Sequence, residues 1–453
     1  MSLNYYSFDA RIIPWQWEAL KGTYNIDYLK GTYDIGFCGI VGSAKTTLAA
    51  WITLDHCCKY RDALFFIGRR SYNDLKETSY AELCDLVFNT WGQRSEKWMK
   101  VSDCSITFPW GARIIGGTWG DGRYEKYKSK KYSGAWLEEP TENSPEEYDG
   151  FMNIFRPRVG RISHKNSDVK ENFILYSFNA HDPEHPIYRD FYEKKDDITL
   201  LFESKKRDNP FLHDEYYNNL LKKLDPLNVR RQIHGEWISS NTNSIYHAYD
   251  PKKNFKNEKY SVKKGFPVHV SWDFNIGDGK PLSVVLFQYI NDHFHFFDEI
   301  IIEGIRTGDS CEELNNRGYF NHNLKFILHG DASGNSRDTR SKLSDWIIIK
   351  EYFENHVNRP KFEVKVPRAN PAIRKRHNTV NLYMVNGLGQ VRVTLYQKCK
   401  TLDKGLKLTA FKKGSSIEDD SKYYQHVTTS AGYGICSSIA TENAIKISTE
   451  SRW

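Results

Sequence analysis

Along the first half of the chain, short, largely apolar runs alternate with stretches in which apolar positions recur every three or four residues. Residues 34–38, 63–67, 134–137 and 173–176 are of the first kind, and 46–58 is of the second. Continuous runs bounded by turns and separated by helices predict buried strands of a parallel sheet. Residues 104–108 and 112–115 flank Pro109-Trp110-Gly111 and predict a hairpin. A helical stretch over 215–233 leads to Gly235-Glu236-Trp237, where this first α/β domain should close. From 239 to 265 the pattern lapses into Ser, Asn, Lys and Tyr, which predicts a linker. Strands are predicted again at 268–273, 283–289, 293–302 and 326–330, the first three in direct succession, so a mixed α/β domain follows. The expected division is 1–238, a linker 239–265, a second domain 266–440, and a loosely held polar tail 441–453.

Composition agrees with two domains, since 453 residues exceed what one core usually serves. With 39% hydrophobic and 27% charged residues and a mean hydropathy of −0.65, no apolar run approaches the ~18 to 20 residues of a membrane span. The first residues lack a basic start followed by an apolar stretch, so no secretory signal is expected. Eight scattered cysteines form no CxxC pair and no zinc-spaced cluster, and are expected as reduced thiols of a cytosol.

The strongest chemical signal is Gly39-Ile40-Val41-Gly42-Ser43-Ala44-Lys45-Thr46, placed between a predicted strand and a predicted helix. A P-loop needs that context: backbone N–H groups cradle phosphates, Lys45 meets the β/γ charge, and the Thr46 hydroxyl takes Mg²⁺. Ala44 replaces the usual glycine and is tolerable only if its φ is negative. About 90 residues on, the apolar run ending in Glu138-Glu139 offers a metal-side acid, Glu138, and a base for the attacking water, Glu139. The bland alternatives are a glycine-rich turn with a surface lysine and a solvated acidic strand end.

With these motifs in place, the chain resembles the large terminase subunit of tailed bacteriophages, a DNA-packaging ATPase and nuclease, over nearly its whole length. Pro14-Trp15-Gln16 resembles the family's adenine-recognition element, in which the glutamine reads the base and the aromatic supports it. Phe66-Ile67-Gly68-Arg69-Arg70 with Tyr72-Asn73-Asp74-Leu75 resembles the segment after the next strand. Ser177-Phe178-Asn179-Ala180 resembles the motif that couples hydrolysis to movement, giving Ser177 and Asn179 that role. Where family P-loops often carry arginine, this chain has Val41, so an arginine must come from elsewhere in the chain, with Arg69, Arg70 and Arg123 as candidates, or from a neighbouring subunit.

In the second domain, Trp272-Asp273-Phe274-Asn275 and Gly330-Asp331-Ala332-Ser333-Gly334 put carboxylates at the ends of two predicted strands. Two such acids can share divalent ions that activate water at a phosphodiester, and carboxylate ligands suit Mg²⁺ or Mn²⁺. The resemblance implies a ribonuclease-H-like nuclease. It also implies a third acid, four residues before a tyrosine on a late helix; with Tyr433 as that tyrosine, the position holds Thr429. Three explanations stand: Asp419 or Asp420 replaces the acid, His426 or backbone completes the site, or the nuclease is impaired. Metal binding is expected to be weak at one of two positions.

The net charge of +7 is unevenly spread. Residues 123–131, 252–264 and 359–376 carry +4, +5 and +6, so the rest of the chain is acidic. Such runs are often solvated faces, but Lys and Arg on one surface also give sequence-independent, salt-sensitive duplex binding. Arg123, Lys126, Lys128, Arg368, Arg374, Lys375 and Arg376 are the candidate DNA contacts. The resemblance implies ATP and Mg²⁺ as cofactors, action in the host cytoplasm, and no membrane. It implies double-stranded DNA, a procapsid portal protein and a small terminase subunit as partners, with a ring of copies during packaging. The rivals are a helicase-like translocase and a DNA-docking assembly factor with decayed sites.

Overall fold

Six parallel strands form the centre of the first unit, and their order explains where its chemistry lies. The computed structural model describes residues 13–160, 171–194, 196–205, 208–239, 244–275, 280–302, 307–336, 343–356, 360–412 and 417–450. The chain divides into two compact units, the first built mainly from residues up to 218 with 228–239, the second from 219–227 and 240 onward.

The strands of the first unit are β1 (Tyr33–Gly39), β2 (Leu64–Arg69), β3 (Met99–Lys100), β4 (Ser105–Thr107), β5 (Arg113–Thr118), β6 (Gly134–Glu138), β7 (Phe173–Phe178) and β8 (Thr199–Ser204). They lie in the order β3-β4-β5-β2-β6-β7-β1-β8, parallel from β5 to β8, with β3 and β4 added antiparallel. Central strands β1, β6 and β7 are buried along their whole length, as helices on both faces of a parallel sheet require. Their register brings Cys38 beside Phe178 and Glu138 beside Ser177. The strand after which the P-loop starts thus ends level with the two that end in Glu138 and Ser177-Phe178. The helix Lys45–Lys59 leaves that edge and buries Leu48, Ala49, Ala50, Ile52 and Cys57 against the sheet.

The α/β expectation holds here, and the predicted hairpin is β4 and β5, closed by the Phe108 N–H to the Ala112 carbonyl at 2.9 Å. The single helix expected over 215–233 is two, Asp214–Lys223 and Pro226–Gln232. Proline lacks the N–H a continuing helix needs and fits the first turn of a new one.

The second unit holds β9 (Phe255–Lys256), β10 (Val268–Asp273), β11 (Leu282–Ile290), β12 (His293–Ile302), β13 (Lys325–Gly330), β14 (Lys361–Val364) and β15 (Val393–Tyr396). The order is β14-β13-β10-β11-β12-β15-β9, antiparallel from β10 through β12 and parallel elsewhere. Asn291 and Asp292, both at positive φ, make the two-residue turn between β11 and β12. A long helix, Tyr423–Glu450, lays Val427, Ala431 and Ile435 on the sheet. Its backbone is helical well into the expected tail, whose last three residues lie outside the described ones.

The stretch expected as a linker is built into this unit. Ile245, Tyr246 and Ala248 are buried in its core, and β9 pairs with β15. Buried Asn254 donates to the carbonyls of Met384 and Val393, both at 3.0 Å. A few apolar anchors and one amide pin a segment whose composition is otherwise that of a loop.

Candidate functional site

The P-loop wraps round its own lysine. Lys45 Nζ is buried and donates to the carbonyls of Gly39 (3.2 Å) and Ile40 (2.9 Å), to Ser43 Oγ (3.3 Å) and to Asn179 Oδ1 (2.9 Å). Asn179 then donates its Nδ2 to Glu139 Oε1 at 2.8 Å and its backbone N–H to Oε2 at 3.3 Å. One amide therefore links the phosphate-binding lysine to the candidate base. Burial lowers the Lys45 pKa, opposed by Glu139. Burial also pushes Glu139 up to about 7, against the pull of Lys45.

Beside this link the Thr46 hydroxyl donates to Glu138 Oε1 at 2.9 Å. The other oxygen of Glu138 accepts from the Trp136 indole N–H at 3.1 Å and from the Ser177 hydroxyl. Burial raises the Glu138 carboxyl, and the hydroxyls of Ser177 and Thr46 pull it back. The hydroxyl and the acid expected to hold Mg²⁺ thus meet at one point, and their hard oxygens fit that ion. Ser177 serves as a second anchor for Glu138, and Trp136, which the sequence reading passed over, positions both. Glu139 has φ 46°, ψ 50°, a left-handed turn that swings it off the strand line toward Asn179.

Ala44 overturns an expectation. Its φ is +62° and ψ 34°, the left-handed region in which an L-residue costs about 1 to 2 kcal/mol. The conformation is held by hydrogen bonds to its carbonyl, from the Leu48 N–H at 3.2 Å and from Gln16 Nε2 at 2.9 Å. Gln16 and Trp15, expected at an adenine, pack against the loop and are 1% and 6% exposed. The Trp15 indole donates to the Ser43 carbonyl at 3.0 Å, and its ring packs edge-on to Phe37. Gly42, at φ +83°, has its carbonyl held by Asn209 Nδ2 at 2.7 Å, and a side chain there would strike Leu212. Gly39 sits so close to Ser204 that any Cβ would overlap its hydroxyl. Among the arginine candidates, Arg69 forks onto both oxygens of Glu142 and Arg70 pairs with Glu147, while Arg123 is exposed.

In the second unit Trp272 of β10 pairs with Gly330 of β13, so Asp273 and Asp331 follow each other at adjacent parallel strand ends, and the Asp331 N–H donates to the Trp272 carbonyl at 3.1 Å. Both are largely buried. Asp331 Oδ1 accepts from Asn370 Nδ2 and from the Ser333 N–H, each at 2.7 Å. Asp273 Oδ2 lies 2.6 Å from Asn275 Nδ2 and 3.2 Å from His426 Nδ1. Burial pushes the Asp273 carboxyl up, against the contacts of His426, Arg376 and Asn275. Thr429 is buried and accepts from Gln425 Nε2 at 2.8 Å. Asp420 is held by Lys280 at 2.7 Å and Lys412 at 3.0 Å, which lower its pKa, and Asp419 caps the Ser421 N–H at 3.1 Å. Among the described residues no three His, Cys, Asp or Glu side chains are grouped to hold a metal.

Arg376 is not a surface contact. It is 4% exposed, pairs with buried Glu418 at 2.7 Å and lies over the Tyr433 ring. Burial would raise Glu418, but His377 and Arg376 outweigh it and hold the acid low. Arg368, Arg374 and Lys375 are exposed, as are Arg123, Lys126 and Lys128, with Lys126 paired to Asp121 at 3.2 Å and Lys128 to Glu125. All eight cysteines are free thiols, and among the described residues no helix is long and apolar enough to cross a membrane.

Residues 31–236 match the family model of the phage terminase large subunit, which bears out the resemblance read from the sequence. The fold matches that of the large terminase from a thermophilic bacteriophage over 93% of this chain and 98% of that one, with a TM-score of 0.64 at 13% identity. The same relation holds for that protein's complex with ADP (0.64 at 15% identity, same coverage) and with ATP-gamma-S (0.62 at 13%, same coverage). Comparison with curated proteins finds no match.

Proposed function

We propose that this chain is the large subunit of a phage terminase: an ATPase that drives double-stranded DNA through the portal protein into a procapsid, and a metal-dependent endonuclease that cuts the concatemer. The observation that carries the reading is the link Lys45–Asn179–Glu139. A triphosphate seated on the loop competes with the carbonyls for Lys45. As the ammonium turns to the phosphates, Asn179 loses a donor on one side while still holding Glu139 on the other. Occupancy is thereby transmitted to the base and to the end of β7, a local basis for coupling hydrolysis to movement. Glu139, once ionised, accepts the proton of the attacking water. Thr46 and Glu138 would hold Mg²⁺, which when bound neutralises charge building on the β- and γ-phosphates. The thermophilic phage's terminase, solved with ADP and with ATP-gamma-S, supports ATP as the nucleotide.

With Arg69 and Arg70 tied to glutamates, a neighbouring subunit in a ring, or Arg123, is left to supply the arginine. The small terminase subunit would select the DNA, and the host cytoplasm is where these parts meet. Arg123, Lys126, Lys128, Arg368, Arg374 and Lys375 are the proposed phosphate contacts. Residues 1–238 would act as the motor and Asp273 with Asp331 as the core of the nuclease. A second reading, a motor with an impaired nuclease, draws on Thr429, whose hydroxyl is already engaged by Gln425.

ATP turnover with and without linear duplex tests the motor: duplex should stimulate it, Lys45→Ala should abolish it, and no turnover in the parent would refute the reading. Duplex affinity should fall steeply between low and moderate salt, and a flat response would remove DNA from the proposal. Cleavage of supercoiled DNA with Mn²⁺ or Mg²⁺, absent in Asp273→Asn, separates the active from the impaired nuclease.

A further inference from the structure

Asn179 holds the Glu139 carboxylate, and a separate grip holds the backbone that carries it. Glu139 stands at φ 46°, ψ 50°, a conformation that L-residues other than Asn and Asp rarely adopt unless their surroundings impose it. Its N–H donates to the Ser177 carbonyl at 2.7 Å, and its own carbonyl accepts the Glu142 N–H at 2.9 Å. That second bond closes the short turn Pro140–Glu142, in which the proline ring fixes φ and the Asn143 N–H donates to the Pro140 carbonyl at 3.2 Å. The turn therefore joins the base at one end to Glu142 at the other.

Arg69 clamps that far end. Its Nη2 donates to Glu142 Oε1 at 3.1 Å and its Nε to Oε2 at 3.3 Å, while Nη1 donates to the Thr78 hydroxyl at 3.1 Å. The two side chains are 15% and 19% exposed, so the fork is largely shielded from solvent, and Arg69 would have to give up all three contacts to reach a phosphate. Burial would lower the Arg69 pKa, but Glu142, Glu139 and Glu138 outweigh it, which places the guanidinium in the field of all three acids. The pairing of Gly68 with Leu137 sets Arg69, at the end of β2, level with Glu138 at the end of β6. We propose that Arg69 and Glu142 are positioning residues for the Glu139 base: a forked ion pair that pins the turn and so fixes the direction in which the carboxylate leaves its strand. The inference rests on the ATPase reading above and adds a hold on the base that does not pass through Lys45. Asn179 follows β7 on one side of β6, and Arg69 ends β2 on the other, so the base is gripped from both strands that flank its own. When a triphosphate draws Lys45 away from Asn179, the grip from β2 stays as it was.

The test is ATP hydrolysis by the full chain carrying Glu142→Gln, Arg69→Lys, or both. Glu142→Gln keeps the shape and removes the charge, whereas Arg69→Lys keeps the charge and removes the fork. Each single change should lower kcat by ~10- to 100-fold with KM for ATP within about threefold, the loss expected when a reacting group is displaced by about 1 Å. The double variant should be little slower than either single one, as for residues that act through one contact. In a Glu139→Gln background the same changes should leave the residual rate unaltered, because the group they position is gone. If Glu142→Gln does not fold, by circular dichroism, Arg69→Lys with and without Glu139→Gln carries the test. Parent-level kcat in the single variants, additive losses in the double, or a further fall in the Glu139→Gln background overturns the positioning role and leaves the ATPase reading standing. No ATP turnover in the parent overturns both.

Discussion

Both candidate sites lie at the carboxyl ends of parallel strands, yet their charged groups are held differently. At the P-loop every charged group has a protein partner: Lys45 on carbonyls and Asn179, Glu138 on Thr46 and Ser177, Glu139 on Asn179. At the strand ends of the second unit, Asp273 is held by Asn275 and His426, and Asp331 by Asn370 and the Ser333 N–H. The first arrangement suits a ligand that comes and goes, because phosphates take over bonds the protein otherwise makes with itself. The second holds its acids on amide, imidazole and backbone groups, which leaves their negative charge largely in place, as binding a cation would need.

The sharpest way to break this comparison is to remove the partner that phosphates would replace. Lys45→Ala should cut ATP turnover by ~10³-fold or more, since stabilisation of transferring phosphoryl charge is usually the largest catalytic contribution. A smaller effect, under tenfold, would mean the loop cradles something else. Next comes the division between interior and surface basic residues. Arg376→Ala leaves buried Glu418 with His377 alone of its two basic partners and should cost about 3 kcal/mol, read as a lower midpoint in urea. Arg368→Ala should leave stability within about 0.5 kcal/mol and lower the salt slope of duplex binding by about one. The reverse result would return Arg376 to the surface.

A pH profile sharpens the same contrast. With Glu139 held up to about 7 by burial, the base is protonated below that value, so kcat/KM for ATP should fall about tenfold per unit of pH below 7 and level off above it. A limb near 4.5 would show that the carboxyl is solvated when ATP arrives. The smallest expected effect is a gain: Ala44→Gly relieves the left-handed backbone and should stabilise the first unit by up to about 1 kcal/mol, after the extra chain entropy of glycine. A loss would indicate that the alanine methyl contributes packing that outweighs the strain.

Much of this was legible in the sequence where pattern and contact are local. The run of apolar residues into Gly39, the helix from Lys45 and the paired glutamates after Leu137 all sit within one element of their neighbours. What escaped depends on distant partners. Nothing local to Trp15 and Gln16 reveals that they donate to the carbonyls of Ser43 and Ala44, 28 residues on. Residues 239–265 read as a linker because three apolar anchors and Asn254 are few against many polar neighbours. Arg376 could have been found: with His377, Val380, Asn381 and Met384 it lies on the buried stripe of the helix Ile373–Met384, at helical spacing that a count of basic residues ignores. His426 was one of several options, and its position beside Asp273 required the long helix to be docked on the sheet.

The claim on which the motor depends is that Glu139 takes the proton of water while Lys45 and Thr46 hold the nucleotide. Single-turnover hydrolysis of ATP by Glu139→Gln, compared with ATP affinity in the same variant, tests it most directly. The account predicts affinity within a few-fold of the parent and hydrolysis slowed by ~10² to 10⁴-fold. Hydrolysis at the parent rate, or affinity lost along with it, would contradict that role.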